Sequence, residues 1–405
     1  MNEIVSLGMI LLLALLAGHL VQILRLPEVT GYILAGIVLG PSVLGWVSAE
    51  NLQALAVFSE VALGLILFSI GSVFEYRLLL RFGLRVLWLT LTESAMASFL
   101  VTAGMLMLGQ SWQVSFLLGA MAIATAPAST LMVLRECNAR GPLSDTLLGI
   151  IAVNNICCLI VFSLVSSAID LTAGWAGFGE LLPTLYQAIF PLFWQLLGSA
   201  ALGFLVGLML AIWSKHVVES GEMLILLAGS ILLCVGVARW FGLSPLVASL
   251  AVGATMVNLS RSSRKLFDTL GKTDPPFYAI FFVIVGADLD VSSVVDMGML
   301  GVIYLTGRTV GKFLGARLSS KLLNMDANVQ RYLGYGLMAQ AGLAIGLMLS
   351  VEQRYPEYYP VLHAVILSCV TVFEMFGPVS ARFAIMRAGE SNVRSTDTGS
   401  IWSLE

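Results

Sequence analysis

The chain has 405 residues, of which 58% are hydrophobic and 11% charged, and its mean hydropathy is +0.94. A soluble protein of this size is about one quarter charged, so the composition excludes an ordinary soluble domain and points to a multi-pass helical membrane protein. A net charge of -3 gives no reason to expect a nucleic-acid partner.

Thirteen apolar segments follow one another, at 5–24, 29–47, 53–73, 83–107, 112–135, 144–169, 184–214, 221–238, 243–259, 275–288, 295–318, 331–351 and 358–387. Most approach the ~20 residues that a bilayer-crossing helix needs. In lipid the backbone must satisfy its own hydrogen bonds, so the spans are expected to be helices. The N-terminus lacks the basic flank of a signal peptide, and residues 391–405 are polar and expected to form a disordered cytoplasmic tail. The five cysteines lie in or beside apolar runs without framework spacing and are expected to pack as small apolar residues.

Basic residues fall in alternate loops. Arg77, Arg81 and Arg85, then Arg135 and Arg140, then Arg261 to Lys272, then Arg317 to Arg331, lie on one side; Glu50, Asp170, Arg239, Asp288 and Glu352 lie on the other. The positive-inside rule places the C-terminus in the cytoplasm and, with thirteen spans, the N-terminus outside. The expected location is the plasma membrane, a bacterial inner membrane.

Two stretches repeat. Leu26-Pro27 to Gly36 resembles Leu243 to Gly253, and Leu65 to Glu75, with Gly71, resembles Phe281 to Asp290, with Gly286. Seven spans separate the copies, so the repeats are inverted, with residues about 1–170 and 221–387 as halves and 184–214 as a linker helix. Inverted repeats place a substrate site near the midplane, where interrupted helices meet. The fifth and twelfth segments correspond and each carries an interruption. The fifth has Thr125, Ala126, Pro127 and Ser129; the twelfth has Gln340, Gly342 and Gly346. Proline removes a backbone donor, and glycine weakens a helix.

In the sixth segment, two carboxamides, Asn154 and Asn155, stand in an otherwise apolar run. Ionisable groups also lie within segments, among them Glu60, Glu93, Glu374, Arg308 and Lys312. Intramembrane charges are expensive and mark functional sites. No Ser-His-Asp order, zinc spacing or phosphate loop is present, so an enzyme is not expected, nor a cofactor or a metal other than a transported cation.

The stretches Leu26 to Pro41, Glu60 to Gly71, Thr125-Ala-Pro-Ala128, Gly307 to Gly315, Gln340-Ala-Gly342, Phe373 to Pro378 and Arg387-Ala-Gly-Glu390 together resemble the monovalent cation:proton antiporter superfamily, nearest its Kef-type branch. The resemblance spans nearly the whole chain. It implies the sodium/proton antiporter fold, with a dimerisation domain, a six-helix core and two crossing broken helices. It also implies elevator-type alternating access, a homodimer, and exchange of Na⁺ or K⁺ for protons. The family's acidic pair matches Asn154 and Asn155, so the carboxylate that binds either cation or proton is replaced by an amide. Thr125, Ala126 and Ser129 complete the implied ion site, and Lys312, with Arg308 a turn earlier, matches the basic partner. A carboxamide offers an oxygen to a cation but cannot titrate. The proton carrier is then expected among Glu93, Glu374 and Lys312. Two other readings stay open: a proton-uncoupled or anion transporter on the same fold, and a transport-inactive sensor or Asp-to-Asn trapped variant.

Overall fold

The computed structural model describes Glu3 to Asn392 except residues 25, 48, 72–73, 75, 174–189, 191–192, 218, 261–262, 264–265, 268–269, 271–274 and 290–297. Fifteen helices account for most of the described residues: α1 Glu3–Ile23, α2 Glu28–Leu39, α3 Ala49–Gly71, α4 Tyr76–Met107, α5 Trp112–Met121, α6 Pro127–Glu136 and α7 Pro142–Ala173 form the first half. Next comes α8, a π-turn at Trp194–Gly198 continuing as Ser199–Trp213. The second half holds α9 Ser220–Trp240, α10 Pro245–Leu259, α11 Pro275–Asp288, α12 Gly298–Leu322, α13 Ala327–Gly336, α14 Gly342–Arg354 and α15 Tyr359–Ala388.

Each of the thirteen apolar segments contains a helix or a pair of short ones. Among the described residues, six helices are long and apolar enough to cross a membrane by length and composition alone: α1, α4, α7, α8, α9 and α15. The fifth and twelfth segments are broken where proline and glycine stand, between Met121 and Pro127 and between Gly336 and Gly342. Boundaries differ from expectation at the end of the second segment and at the start of the tail. The segment 29–47 is helical only to Leu39, where Gly40 turns extended and Leu44 and Val47 bond back to Val38 and Leu39. The linker's first residues, 184–189, lie outside the described residues. Of the tail expected to be disordered, Ser391 and Asn392 are bonded to the Cys137 carbonyl, and residues 393–405 lie outside the described residues.

Helices α1–α3 and α8–α11 pack as a scaffold, and α4–α7 and α12–α15 as a core. The scaffold is drawn together by two backbone-to-backbone crossings. A Cβ added to Gly36 of α2 would lie 2.2 Å from the Val283 carbonyl and 2.8 Å from Gly286 Cα on α11. A Cβ added to Gly253 of α10 would lie 2.0 Å from the Phe68 carbonyl and 3.0 Å from Gly71 Cα on α3. Small residues let membrane helices approach this closely. In the repeat, Gly36 corresponds to Gly253 and Gly71 to Gly286, so the two crossings exchange under the inverted symmetry. In the core, α4 and α12 cross the same way: a Cβ on Gly311 would come 2.5 Å from Ala97 Cα, and one on Gly315 2.6 Å from Glu93 Cα.

Two further features lie within the core. Gly83 interrupts α4 with φ +38, a conformation open to glycine and not to most side chains. At the other end, Glu390 after α15 caps α7: its carboxylate accepts from the amides of Leu143 at 2.7 Å and Ser144 at 2.8 Å, and from the Ser144 hydroxyl at 2.6 Å. Buried acceptors at a helix N-terminus satisfy its free amides and its positive end.

Substituting Gly253 by leucine is expected to prevent stable packing, since overpacking a tight core costs about 1–3 kcal/mol or more. Gly229→Leu, at a glycine with nothing within 4 Å of its added Cβ, is the control. Melting of the detergent-solubilised protein, followed by loss of the monodisperse peak, should fall for the first and hold for the second.

Candidate functional site

The site forms where the two helix breaks cross. In each break the chain leaves helix geometry for a few residues, and the Ala126 amide donates to the Ala339 carbonyl at 2.9 Å. Pro127 is the first residue of α6, a position where its missing amide costs nothing. Gly342 opens α14. The breaks expose carbonyls at the ends of α5 and α13, where the helix dipole is negative.

Two cations of α12 answer those carbonyls. Lys312 is fully buried, and all three of its donors are used: to the Glu93 carboxylate at 2.9 Å, the Ile123 carbonyl at 2.9 Å and the Thr125 hydroxyl at 3.0 Å. Arg308, also fully buried, donates to the carbonyls of Met338 at 2.7 Å, Ala124 at 2.7 Å and Ala339 at 3.2 Å. Its guanidinium lies 4.3 Å from the ring centroid of Phe373, within cation–π range. Full burial rules out snorkelling for both. Gln340, from the second break, donates to the Met121 carbonyl at 2.9 Å and the Tyr304 hydroxyl at 2.8 Å.

Glu93 reaches this centre from α4, because Gly315 lets the two backbones touch. It has no exposed surface. One carboxylate oxygen takes the Lys312 ammonium, and the other accepts from the Asn154 amide and, at 3.3 Å, from the Ser94 hydroxyl. Asn154 also donates to Ser94 at 3.1 Å. The carboxamide therefore serves as a neutral donor to a carboxylate; an aspartate there would be a second anion beside the first.

Asn155 points elsewhere. It lines a narrow cavity with about 30 Å³ of room for water, between the core residues Pro127, Ile151 and Leu343 and the scaffold residues Leu67, Leu246 and Leu250. That is space for a water or a largely dehydrated small ion. Among the described residues, the side-chain oxygens of Asn154, Asn155 and Gln340 and the hydroxyl of Ser129 are buried without a hydrogen-bond partner. Buried polar atoms in this state call for an explanation.

The crossing thus brings together Thr125, Ala126, Arg308, Lys312, Glu93 and Asn154 through hydrogen bonds, Gln340 bonds Met121 and Tyr304 beside them, and Pro127 and Asn155 line the cavity next to it. Glu374 stands apart: it is buried on α15, and both of its carboxylate oxygens lack partners among the described residues. Arg308 and Lys312 also differ in kind, since the arginine binds carbonyls and only the lysine pairs with an acid. The sequence reading missed Ser94 and Tyr304. Tyr304, Arg308 and Lys312 recur at four-residue intervals on one helix face, a spacing that could have revealed the tyrosine.

Residues 8–384 match the family described as sodium/hydrogen exchanger, transmembrane. The chain belongs to that family. It is a multi-pass membrane transporter of the cation/proton antiporter class and not an enzyme. The chain is 24% identical over 355 residues to an ammonium/H⁺ antiporter subunit of Alkalihalophilus pseudofirmus, covering 87% of this chain and 84% of the relative. It is likewise 24% identical to a Na⁺/H⁺ antiporter of Enterococcus hirae, covering 91% and 95%. In three dimensions it resembles the sodium proton antiporter MjNhaP1 of Methanocaldococcus jannaschii, with TM-score 0.74 at 18% identity, over 95% of this chain and 96% of that one. This likeness establishes the antiporter fold.

Removing one partner of a buried ion pair costs about 3–5 kcal/mol, because the other charge is stranded. Lys312→Met alone is therefore expected to lower the melting temperature sharply, and Lys312→Met with Glu93→Gln to recover most of the loss. Thermal melts of the two single variants and the double variant, read as a double-mutant cycle, check this. Additive losses would mean that the two groups do not stabilise each other.

Proposed function

We propose that the chain exchanges Na⁺ or K⁺ for protons across a plasma membrane, with Glu93 and Lys312 as the exchanging pair. The observation that carries this is the buried Lys312, whose three donors are shared between Glu93 and the first helix break. A charged Glu93 and a charged Lys312 sum to zero. When a cation takes the place of the ammonium at Glu93, neutrality in a low-dielectric site is kept only if Lys312 releases its proton. Asn154, Asn155 and Ser129 supply the remaining oxygens, which hard monovalent cations accept as they do carbonyls. Glu93 on α4 thereby stands in for the acid that the family resemblance implies at Asn154–Asn155.

This reading fixes a stoichiometry. The site carries the same net charge with cation bound as with proton bound, so one cation exchanges for one proton without net charge movement. The core carries the site past the scaffold in an elevator movement, with Gly83 as one hinge. The scaffold joins two copies into a homodimer, and the basic loops place the C-terminus in the cytoplasm and the N-terminus outside. Sodium and ammonium are named for the two relatives above, and sodium and potassium for an antiporter of Bacillus cereus 22% identical to this chain.

A second reading rests on the Asn155 cavity. Pro127 and Leu343 place the N-terminal ends of α6 and α14 beside it, and helix N-termini favour anions. With no carboxylate at 155, an anion could occupy it if the amide turned its nitrogen inward.

Purified protein in liposomes, with an internal pH dye and imposed Na⁺ or K⁺ gradients, is expected to show cation-driven proton flux whose initial rate does not change with membrane potential. Glu93→Gln should abolish it. Asn155→Asp should keep exchange but make it sensitive to potential, since it adds one charge to the moving site. Flux persisting in Glu93→Gln sinks the proposed pair. A silent unmodified protein beside an active Asn155→Asp would identify a disarmed antiporter, and a chloride-driven response would favour the anion.

A further inference from the structure

A second acid lies on the approach to this site. Glu60 stands in mid-α3 and forms an ion pair in the scaffold with Arg239 from the last turn of α9. The pair sits in the wall of a cavity with about 190 Å³ of room for water, lined also by Leu63, Gly64 and Pro245. That cavity shares Leu67 and Leu246 with the cavity at Asn155. Two apolar side chains are thus a common wall between Glu60 and the crossing. Leu246 lies four residues after Gly242, the turn that joins α9 to α10, so the larger cavity belongs to that face of the protein.

The two partners differ in exposure: the Arg239 side chain is 60% exposed and that of Glu60 29%. An ion pair of this exposure contributes little, about 0–1 kcal/mol, and a long exposed side chain at a helix end swings away easily. Glu60 stands in the middle of its helix and Arg239 in the last turn of its own, on the longer side chain. Gly64 keeps the floor of the cavity low: a Cβ there would meet Ile231 at 2.8 Å. The larger cavity has room for a cation with several waters, and the smaller one does not. An ion moving inward must therefore lose water between them, and a carboxylate placed before that step offsets part of the loss.

We propose that Glu60 is an outer subsite for the transported monovalent cation, and that Arg239 is its displaceable counter-ion. The cation is captured from the Gly242 face, takes the place of the guanidinium at Glu60, sheds water past Leu67 and Leu246, and then reaches Asn155 and the Glu93 site. The subsite sets affinity from one face and takes no part in proton exchange. This rests on the proposed function for the cation's onward route, while binding at Glu60 stands on the scaffold alone.

Two measurements separate those claims. In the first, the protein in detergent is melted at increasing NaCl or KCl, with choline chloride as the inert salt, since a ligand that binds the folded state raises the melting temperature with its concentration. Arg239→Gln is expected to lower the half-saturating cation concentration about tenfold, and Glu60→Gln to raise it about tenfold, each a change of about 1.4 kcal/mol. In the second, exchange is measured in right-side-out and inside-out vesicles. The same variants should shift KM for cation presented at the Gly242 face and leave the opposite face and kcat unchanged. Arg239→Gln is the safer variant, because its side chain is exposed. If both variants weaken binding, or shift KM equally from both faces, the pair is a structural brace and the subsite is overturned. If binding shifts as expected while no variant and no unmodified protein exchanges protons, the subsite stands and the antiport reading falls.

Discussion

The ion pair between Glu93 and Lys312 is the interaction around which the rest of the core is arranged. Two opposite charges with no exposed surface are costly to bury, and a pair persists only when its remaining donors and acceptors are satisfied. Here they are satisfied from three directions. Gly311 and Gly315 remove the Cβ atoms that would hold α4 and α12 apart, which brings Glu93 to the lysine. The first helix break frees the Ile123 carbonyl and positions the Thr125 hydroxyl for the other two ammonium donors. Asn154 and Ser94 occupy the far carboxylate oxygen. Loss of any one of these would leave a buried charge short of a partner.

The helix breaks impose a second electrostatic constraint. Ending α5 and α13 inside the protein leaves two sets of carbonyls without amide partners, at the negative ends of two helix dipoles. Lys312 and Arg308, one turn apart on α12, each serve one or both of these ends, and Gln340 ties the second break to the Met121 carbonyl at the first. Among the described residues the arginine forms no ion pair and spends its donors on carbonyls. The lysine has one acid and can therefore change partners. A guanidinium stays charged in almost any surroundings, whereas a buried ammonium can lose its proton. The division between a fixed cation and an exchangeable one follows from these side-chain types.

Much of this was legible in the sequence, and the parts that were not share one cause. Hydropathy located all thirteen segments, because long apolar runs in lipid have little choice but helix. Pro127 and the Gln340–Gly342 stretch marked the breaks because they disturb a helix locally. The end of α2 at Leu39 was missed: the apolar residues continue to Val47, and only the return of the chain at Gly40 ends the helix. Glu93 stood out as an intramembrane acid, but its partner is 219 residues away, and no local pattern links the two. Ser94 was overlooked because a serine or threonine hydroxyl in an apolar helix usually bonds its own backbone, as Thr90 and Thr92 do here, and only the packed core shows that it does not. Tyr304 was overlooked although its spacing from Arg308 and Lys312 marked it.

The contact between core and scaffold suits the proposed sliding, and the polar links between them described here lie away from the Asn155 cavity. Around Asn155 the facing surfaces are leucine and isoleucine from both layers, which carry no directional bonds and lose little when displaced sideways. Away from this cavity, Arg382 of α15 donates at 2.8 Å both to Glu136 of α6 and to the Leu26 carbonyl of the scaffold, and Glu136 accepts at 2.9 Å from the Glu28 amide at the start of α2. The bonds to the Leu26 carbonyl and from the Glu28 amide join the two layers directly, so the core cannot move against the scaffold here without breaking them, while the Arg382–Glu136 pair lies within the core. Arg382 and Glu136 are mostly buried, so the groups they release must find water or new partners, and charged hydrogen bonds of this kind are worth about 1.5–3 kcal/mol each. An apolar slide alone would hold neither end position. A polar clamp away from the cavity and a smooth contact around it give the core a defined resting place with a modest barrier to leaving it. That combination is what a transporter needs if it is to rest closed on one side and still move.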